Sequence, residues 1–241
     1  MLIWLVLIPL IAAALIGLCK APARPTALLS ASLTLALGIW ALVSFDGCSS
    51  CWSRFEGMDL QLTLAPALSK VMLLLTILVT FATVLGTNPP QGGEASWYNS
   101  ALLISAGATG AFLSDNIISF FAFHELALIP PFVMIGLYGR GDRRTTAWRA
   151  TLYLGLASMV LLAALLMIGT QAGFTFSGLK DFMASGRELA HAELIGALLI
   201  AGFGTLISLF PFHSWAAPAY ASAPAPVAMM PVSYTHLTLP T

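Results

Sequence analysis

Residues 116–138, NIISFFAFHELALIPPFVMIGLY, combine a long apolar run with one acidic side chain near its middle. A helix rises 1.5 Å per residue, so about 20 apolar residues cross the roughly 30 Å hydrocarbon core of a bilayer. Glu125 follows Asn116 by nine residues, which places it about 13 Å along such a helix, close to the bilayer centre. The segment therefore predicts a transmembrane helix with a carboxyl group in its interior.

The composition of the whole chain extends this prediction to the rest of the protein. Of its 241 residues, 59% are hydrophobic and 8% are charged, and the mean hydropathy is +0.90. A soluble domain of this size needs more charge to cover its surface. Ten basic residues balance ten acidic ones, which excludes the basic face of a nucleic-acid-binding protein. Three cysteines are too few for a disulfide framework or for a cluster held by four thiolates.

Seven segments are long and apolar enough to be membrane spans. Helices are the only option for them, because an open sheet would leave backbone groups unpaired in lipid. The predicted fold class is all-α: a polytopic transmembrane helical bundle of about seven complete spans, followed by a proline-broken region and the start of an eighth. The predicted spans are residues 2–18, 26–45, 62–85, 97–113, 116–138, 150–168 and 194–210.

The distribution of lysine and arginine predicts the orientation in the membrane. Basic residues favour the cytoplasmic side, and the cluster at residues 140–149 is dense, so we expect the N-terminus to lie outside. The loop at 170–192 then lies outside as well, and its mixed charges suit a segment resting on the membrane surface. Cys48 and Cys51 fall in another outer loop, where a disulfide and two unpaired thiols are both compatible with the sequence.

Glu125 is the first candidate for chemistry. An ionised side chain near the bilayer centre costs about 2.5–3.5 kcal/mol on insertion scales, which argues against an incidental placement. A carboxyl group in a low dielectric can take up and release protons near neutral pH; the alternative is a permanently protonated side chain that bonds a neighbouring helix. His124 lies about 100° around the helix and either extends a proton relay or makes an interhelical hydrogen bond. Pro130 and Pro131 are expected to kink the helix and free carbonyl groups nearby.

The second candidate region follows the last predicted span. Residues 210–226, FPFHSWAAPAYASAPAP, contain four prolines and cannot form one continuous helix. Irregular backbone at membrane depth occurs where it lines a hydrated cavity, and broken helices mark ion sites in transporters; His213 beside such a break would pass protons between water and a buried path. The alternative is a surface loop with Trp215 and Tyr220 as interfacial anchors.

The two stretches FFAFHELALIP (120–130) and FPFHSWAAPAYASAPAPVAM (210–229) together resemble the antiporter-like membrane subunits of proton-pumping NADH:quinone oxidoreductase, respiratory complex I, and most closely subunit M (chain 4). By this resemblance Glu125 falls on the glutamate implicated in proton translocation and His213 on the histidine at the break. The chain departs from the family pattern at His124, where a tryptophan is usual. It departs again at Leu206, where the family has the lysine that partners the glutamate.

The resemblance implies a proton-translocating subunit that couples quinone reduction to proton pumping, with Glu125, His213 and His124 as the residues of proton translocation. It implies a subunit of a translocase with no redox site or metal of its own, since NADH, flavin, iron–sulfur clusters and quinone are bound by partner subunits. The expected partners are the other membrane and peripheral subunits of the complex, and the expected location is the cell inner (plasma) membrane. The alternatives are the related membrane subunit of a multisubunit cation/proton antiporter and a non-conducting structural membrane subunit.

Members of this family are about twice as long, with two inverted repeats. Residues 1–231 are accordingly interpreted as the N-terminal part of an antiporter-like proton-translocating domain. The tail at 232–241, VSYTHLTLPT, interrupts the hydropathy where an eighth helix should continue. It is interpreted as a non-native, adapter-like sequence that has no functional role.

Overall fold

The computed structural model describes residues 2–44, 49–55, 58–64, 67–90 and 92–224. These residues form mainly helices, with one β-hairpin between the second and third helix and one 3₁₀ turn before the last. The helices are α1 (Ile3–Gly17), α2 (Ala23–Ser44), α3 (Ala67–Gly86), α4 (Glu94–Leu113), α5 (Ile117–Tyr138), α6 (Arg143–Ala172), α7 (Phe176–Ala184), α8 (Ala192–Leu206) and α9 (Ala216–Ser222); the strands are β1 (Ser49–Phe55) and β2 (Met58–Thr63).

The helices form a bundle in which α4 packs against α1, α3 and α5, and α6 packs against α5 and α8. Short connections between α4, α5 and α6 make these neighbours antiparallel. One buried cluster lies at what we call the basic end, where α1, α3 and α5 finish and α2, α4 and α6 begin; it includes Ile16, Val84, Trp97, Met134 and Trp215. At the opposite end, two further clusters join α1–α4 and α5–α8, respectively.

The prediction of an all-helical membrane bundle is confirmed in its coarse form, and its count of seven spans is not. Each of the seven apolar segments coincides with a helix. Within the described residues, however, only α2, α3, α5 and α6 are long and apolar enough to cross a membrane, while α1 and α8 are shorter apolar helices of 15 residues each. Helices α1 and α8 fall short in length, whereas α4 has 20 residues but contains many small and polar side chains.

The predicted start of the third span at residue 62 is wrong. Leu62 lies in strand β2, which pairs antiparallel with β1, and α3 begins only at Ala67. Residues 59–64, DLQLTL, alternate polar and apolar side chains with the period of two that is typical of a half-buried strand. Leu62 and Leu64 are fully buried, so the hairpin supports the outer cluster of α1–α4 rather than extending a span.

The bounds of the sixth and seventh spans also need correction. Helix α6 begins at Arg143 rather than at residue 150, because the Asp142 carboxylate caps it by accepting from the Thr145 N–H at 3.4 Å. Three of the arginines expected in a loop therefore belong to the first two turns of α6. Helix α8 ends at Leu206 rather than at residue 210, because Ser208 takes a left-handed conformation with φ of +61° and the chain turns there.

The link from α4 to α5 is tied to the segment after α6. Asn116 caps α5, its Oδ1 accepting from the N–H groups of Ile118 and Ser119 at 2.9 and 3.3 Å. Asp115 accepts from the Ser177 hydroxyl at 2.7 Å, at the start of α7. Helix α7 has no buried residue; that this segment rests on the membrane surface stays a prediction. Cys48 and the tail at 232–241 lie outside the described residues, so the choice between a Cys48–Cys51 disulfide and two unpaired thiols stays as the sequence leaves it.

Candidate functional site

Glu125 lies in the third turn of α5, inside a helix that is continuous from Ile117 to Tyr138. The helix runs through Pro130 and Pro131. Since proline has no N–H, these two residues leave the carbonyl groups four positions earlier, at Leu126 and Ala127, without their helical donors. Unpaired backbone acceptors therefore occur within one turn of the carboxyl group, as the sequence predicts.

The structure brings His124 and Glu125 together. The Nδ1 atom of His124 is 3.7 Å from Oε1 of Glu125, and the two side chains are 20% and 28% exposed, respectively. Both of these atoms are shielded from solvent and have no hydrogen-bond partner among the described residues. Helix geometry alone separates adjacent positions by about 100°, and the side-chain rotamers close that gap.

The position of Glu125 on α5 is set by close packing on the other side of the helix. A Cβ atom on Gly107 of α4 would lie 2.5 Å from the backbone N of Ala127 and 2.7 Å from the carbonyl O of Phe123. Phe123 and Ala127 are each two residues from Glu125, or about 160° around the helix. The carboxyl group therefore occupies the face of α5 opposite the α4 contact.

Two aromatic rings lie beside the His124–Glu125 pair, toward the end of the bundle opposite the basic end. The Phe120 ring stacks on the His124 ring with centroids 6.0 Å apart, and it meets Phe176 edge to face at 5.8 Å. Phe120 and Phe176 also pack against the buried cluster of Ile117 and its neighbours on α6 and α8. The imidazole ring is thereby held between an apolar wall and the carboxyl group.

Leu206, where the resembling family has a lysine, is the last residue of α8. Its side chain packs against both the basic-end cluster and the cluster that includes Ile117 and Leu161. The position is thus filled by an aliphatic group in the interior. Among the described residues, His124 is the one basic group within ion-pair distance of Glu125.

The structure does not bring His213 to this pair. His213 lies in the 3₁₀ turn Phe212–Trp215, where its side chain is exposed and its ring tilts against Phe210 at 5.6 Å. This turn contacts α6, α8 and α9. Further on, the Ser222 hydroxyl donates to the Arg140 carbonyl at 2.8 Å, which fastens α9 to the basic end of α5. The break is therefore a separate region of the molecule.

Trp215 anchors the break from the inside. Its ring is 7% exposed, and its Nε1–H donates to the Thr205 carbonyl at 2.9 Å, closing the chain back onto the last turn of α8. Next to it, the Ser214 hydroxyl donates to the Tyr153 hydroxyl on α6 at 3.1 Å. Within this chain Trp215 is an interior residue, which contradicts its interpretation as an exposed interfacial anchor.

Sequence reasoning missed a set of hydroxyl groups in the interior of the α2–α3–α4 group. Thr76, Thr80, Thr83 and Thr87 are all buried on one face of α3 and its C-terminal end. The hydroxyls of Thr80 and Thr83 have no partner among the described residues, while Thr76 and Thr87 donate to the carbonyl four residues earlier. Their spacing of four, three and four residues is the helical period, and this signal was available in the sequence.

The chain is similar in sequence to a family of membrane proteins. The sequence profile of the family described as NADH:quinone oxidoreductase/Mrp antiporter, TM, matches residues 114–239, which include Glu125 and His213. The chain is 31% identical over 169 residues to NAD(P)H-quinone oxidoreductase chain 4 of Microcystis aeruginosa, covering 68% of this chain and 30% of that protein. It is 24% identical over 237 residues to F(420)H(2) dehydrogenase subunit M of Methanosarcina mazei, covering 91% and 48%, respectively.

The fold has a close counterpart among solved structures. A chain of respiratory complex I from Thermus thermophilus with bound NADH superposes with a TM-score of 0.84 at 25% identity. The superposition covers 98% of this chain and 50% of that one. The chain therefore spans half or less of the length of these similar proteins.

Proposed function

Because this chain belongs to the NADH:quinone oxidoreductase/Mrp antiporter family of membrane subunits, we propose that it serves proton translocation in a membrane-bound NADH:quinone oxidoreductase, with Glu125 as the group that takes up and releases the proton. The observation that carries the proposal is the sheltered approach of His124 Nδ1 to Glu125 Oε1 at 3.7 Å. The activity is proposed for the whole protein to which these residues belong.

The pair can hold a proton in two arrangements of equal net charge. With the proton on the carboxyl group both side chains are neutral; with the proton on the imidazole they form an ion pair. Moving the proton between them does not change the net charge of the site, so the large cost of a lone buried charge is avoided. An electrostatic change elsewhere in the complex would then bias the proton toward one side or the other.

His124 would supply the positive charge that a lysine supplies in the family at the position of Leu206. A basic group beside a carboxyl group favours its charged form, and imidazole changes charge in the physiological pH range. We propose that His124 provides this function on α5 itself, and that His213, exposed at the break, exchanges protons with water. Since His124 and His213 lie in separate regions, the proton would travel between them through water molecules.

The remaining expectations follow from the family. The partners would be other membrane and peripheral subunits, and the redox groups (NADH, flavin, iron–sulfur clusters and quinone) would be bound there rather than by this chain. The location would be the inner (plasma) membrane, with about seven complete spans and the N-terminus outside. The arginines at the basic end support this orientation, since cytoplasmic segments carry the excess of positive charge.

Two other functions have specific support. The family description also names the Mrp antiporter, so exchange of sodium for protons is the first alternative. The aliphatic Leu206 supports a non-conducting structural subunit, because an apolar side chain fills the position where the family has its lysine. The three functions differ in whether proton movement depends on Glu125 and on sodium.

The test uses the full-length protein in its assembled complex, in inverted membrane vesicles. Replacing Glu125 with Gln keeps the shape and the hydrogen-bonding groups but removes the exchangeable proton. We expect Glu125→Gln to lower the number of protons pumped per electron, measured by a pH-sensitive dye alongside NADH oxidation. His213→Gln is expected to slow proton uptake by a smaller factor.

Glu193→Gln is the matched control, because Glu193 is an exposed glutamate in the first turn of α8 and should leave pumping unchanged. Unchanged pumping in Glu125→Gln, with normal assembly and electron transfer, would refute the proton-carrying role and favour the structural function. Pumping that requires a sodium gradient would favour the antiporter.

A further inference from the structure

A groove lies between the second half of α5 and the first half of α6, away from the His124–Glu125 pair. Its volume is about 540 Å³, within the range of about 300–1,000 Å³ that is usual for sites of small ligands. The lining side chains are mostly apolar. Those that matter for its shape and charge are Phe132, Val133 and Gly136 of α5, with Arg144, Ala147 and Trp148 of α6.

The floor of the groove is made by two small residues. A Cβ atom on Gly136 would lie 3.5 Å from the Cβ atom of Ala147, an ordinary van der Waals contact, so α5 and α6 approach each other closely there. Arg144, Ala147 and Trp148 are spaced by three and four residues and therefore share one face of α6. The groove thus has an apolar floor and walls with a positive charge at the end nearest the α5–α6 turn.

Arg144 is available to a ligand. Its side chain is exposed, and its guanidinium group has no hydrogen-bond or ion-pair partner among the described residues. The preceding arginine differs, because Arg143 donates to the Leu137 carbonyl at 2.7 Å and closes the end of α5. A free guanidinium group binds phosphate oxygens well, since its planar donors match their geometry.

Trp148, one turn after Arg144, is 66% exposed. Tryptophan with one exposed apolar face is typical of the membrane–water interface, so this end of the groove lies at the level of lipid headgroups. A ligand that fits must place negative charge at the interface and an apolar chain along Phe132 and Val133. A soluble anion would leave the apolar walls uncovered, and an uncharged lipid would leave Arg144 unpaired.

We propose that this groove is a binding site for an anionic phospholipid, with the phosphate on Arg144 and an acyl chain along the α5–α6 floor. Basic pockets between transmembrane helices are known to bind such headgroups. The site requires only the membrane fold and is independent of proton translocation. Phe132 and Gly136 follow Glu125 by seven and eleven residues, so the groove lies on the same face of α5 as the carboxyl group, about 10 Å or more further toward the basic end.

The experiment uses the full-length protein in its complex, reconstituted into vesicles of phosphatidylcholine with a minor fraction of phosphatidylglycerol that carries a photoreactive acyl chain. Cross-linked peptides are mapped by mass spectrometry, and the retained lipid is quantified after detergent extraction. We expect the wild-type protein to be labelled in the α5–α6 segment and to retain phosphatidylglycerol over phosphatidylcholine. Arg144→Gln should lower that retention about tenfold or more, as expected when a charge-assisted hydrogen bond to the phosphate is lost.

Arg149→Gln is the matched control: it removes an exposed arginine from the same helix that does not line the groove, and it should lower retention by no more than about fivefold, the effect of one positive charge near an anionic surface. Gly136→Leu fills the floor and should lower both the labelling by phosphatidylglycerol and its retention. Equal loss in Arg144→Gln and Arg149→Gln would overturn the proposal. So would equal retention of the two lipids, or wild-type protein without label in this segment because a protein subunit covers it.

Discussion

The helix that carries Glu125 and the break that carries His213 differ in whether the backbone stays helical near proline. Helix α5 continues through Pro130 and Pro131, whereas the chain leaves the helix at Leu206, five residues before Pro211. In α5, close packing of Gly107 against Ala127 holds the backbone from outside. After α8, the turn at Ser208 and the Trp215 bond to Thr205 stabilise another path. Tertiary contacts therefore decide which proline region stays helical.

The ionisable groups of these two regions differ in their exposure to solvent. The facing atoms of His124 and Glu125 are shielded from solvent while the rest of both side chains is partly exposed. His213 is exposed and has an aromatic ring as its neighbour. A sheltered pair can store a proton, and an exposed imidazole can exchange one with water. The proposed division of roles follows from this contrast in burial. The variants below test which contacts maintain the His124–Glu125 pair and which maintain the break at His213.

The largest effect is expected from the contact that holds α5 in place. A Cβ atom on Gly107 would come within 2.7 Å of two backbone atoms of α5, and backbone cannot move aside as a flexible side chain would. Gly107→Ala should therefore lower the free energy of unfolding by about 3 kcal/mol, at the upper end of the usual cost of overpacking. The measurement is the thermal or denaturant stability of the full-length protein in detergent.

Gly155→Ala is the matched control, since a Cβ atom on Gly155 meets nothing within 4 Å and alanine favours the helix by up to about 1 kcal/mol. If Gly107→Ala were as stable as this control, the close approach of α4 and α5 would be incorrect. The account of why α5 stays helical through its prolines would then fail as well.

Much of this architecture is accessible from sequence alone, and the exceptions share a physical reason. Hydropathy locates the helix of Glu125 because burial in lipid demands about 20 apolar residues. The same signal misplaces the start of α3, since strand β2 is also apolar, and its period of two has to be sought separately. The end of α8 depends on the left-handed Ser208, for which no local sequence rule is strong.

In the candidate site, too, some features are predictable from the sequence and others are not. The depth of Glu125 follows from counting residues along its helix, and this is why one carboxyl group stands out. The approach of His124 to 3.7 Å goes with the contact of its ring with Phe120, which in turn packs on Phe176. That information lies in contacts between α5 and α7, which are far apart in sequence, so the sequence offers this pairing only as one of two alternatives.

A second variant tests whether His124 is the partner of Glu125. Glutamine keeps a polar side chain at this position but cannot take up a proton, so His124→Gln should slow proton transfer by about 10²-fold, the low end of the range for losing an acid–base group. Proton pumping per electron in the assembled complex is the measurement. Electron transfer and assembly should be affected much less.

Adding a cation at the α8 position provides the matching rescue. Leu206→Lys in the His124→Gln background should recover part of the pumping, because an ammonium group there would again favour the charged carboxylate. Leu206→Met is the control, since it conserves size without charge. Full pumping in His124→Gln alone would show that Glu125 acts without its neighbour, and equal effects of lysine and methionine would exclude an electrostatic rescue.

The smallest effect is expected at the break, from Trp215→Phe. This change keeps the buried aromatic ring but removes the N–H that donates to the Thr205 carbonyl at 2.9 Å. The carbonyl keeps its bond from the Ser208 N–H at 3.2 Å, so one hydrogen bond is lost and no acceptor is left unpaired. The expected loss of unfolding free energy is about 1 kcal/mol, the net contribution of a typical intramolecular hydrogen bond, measured as for Gly107→Ala. Trp4→Phe is the control, because Trp4 is 52% exposed on α1 and should change stability by less than about 0.5 kcal/mol. A Trp215→Phe protein as stable as this control would mean that the break is held by packing alone, and the contrast with α5 would then rest on side-chain contacts in both regions.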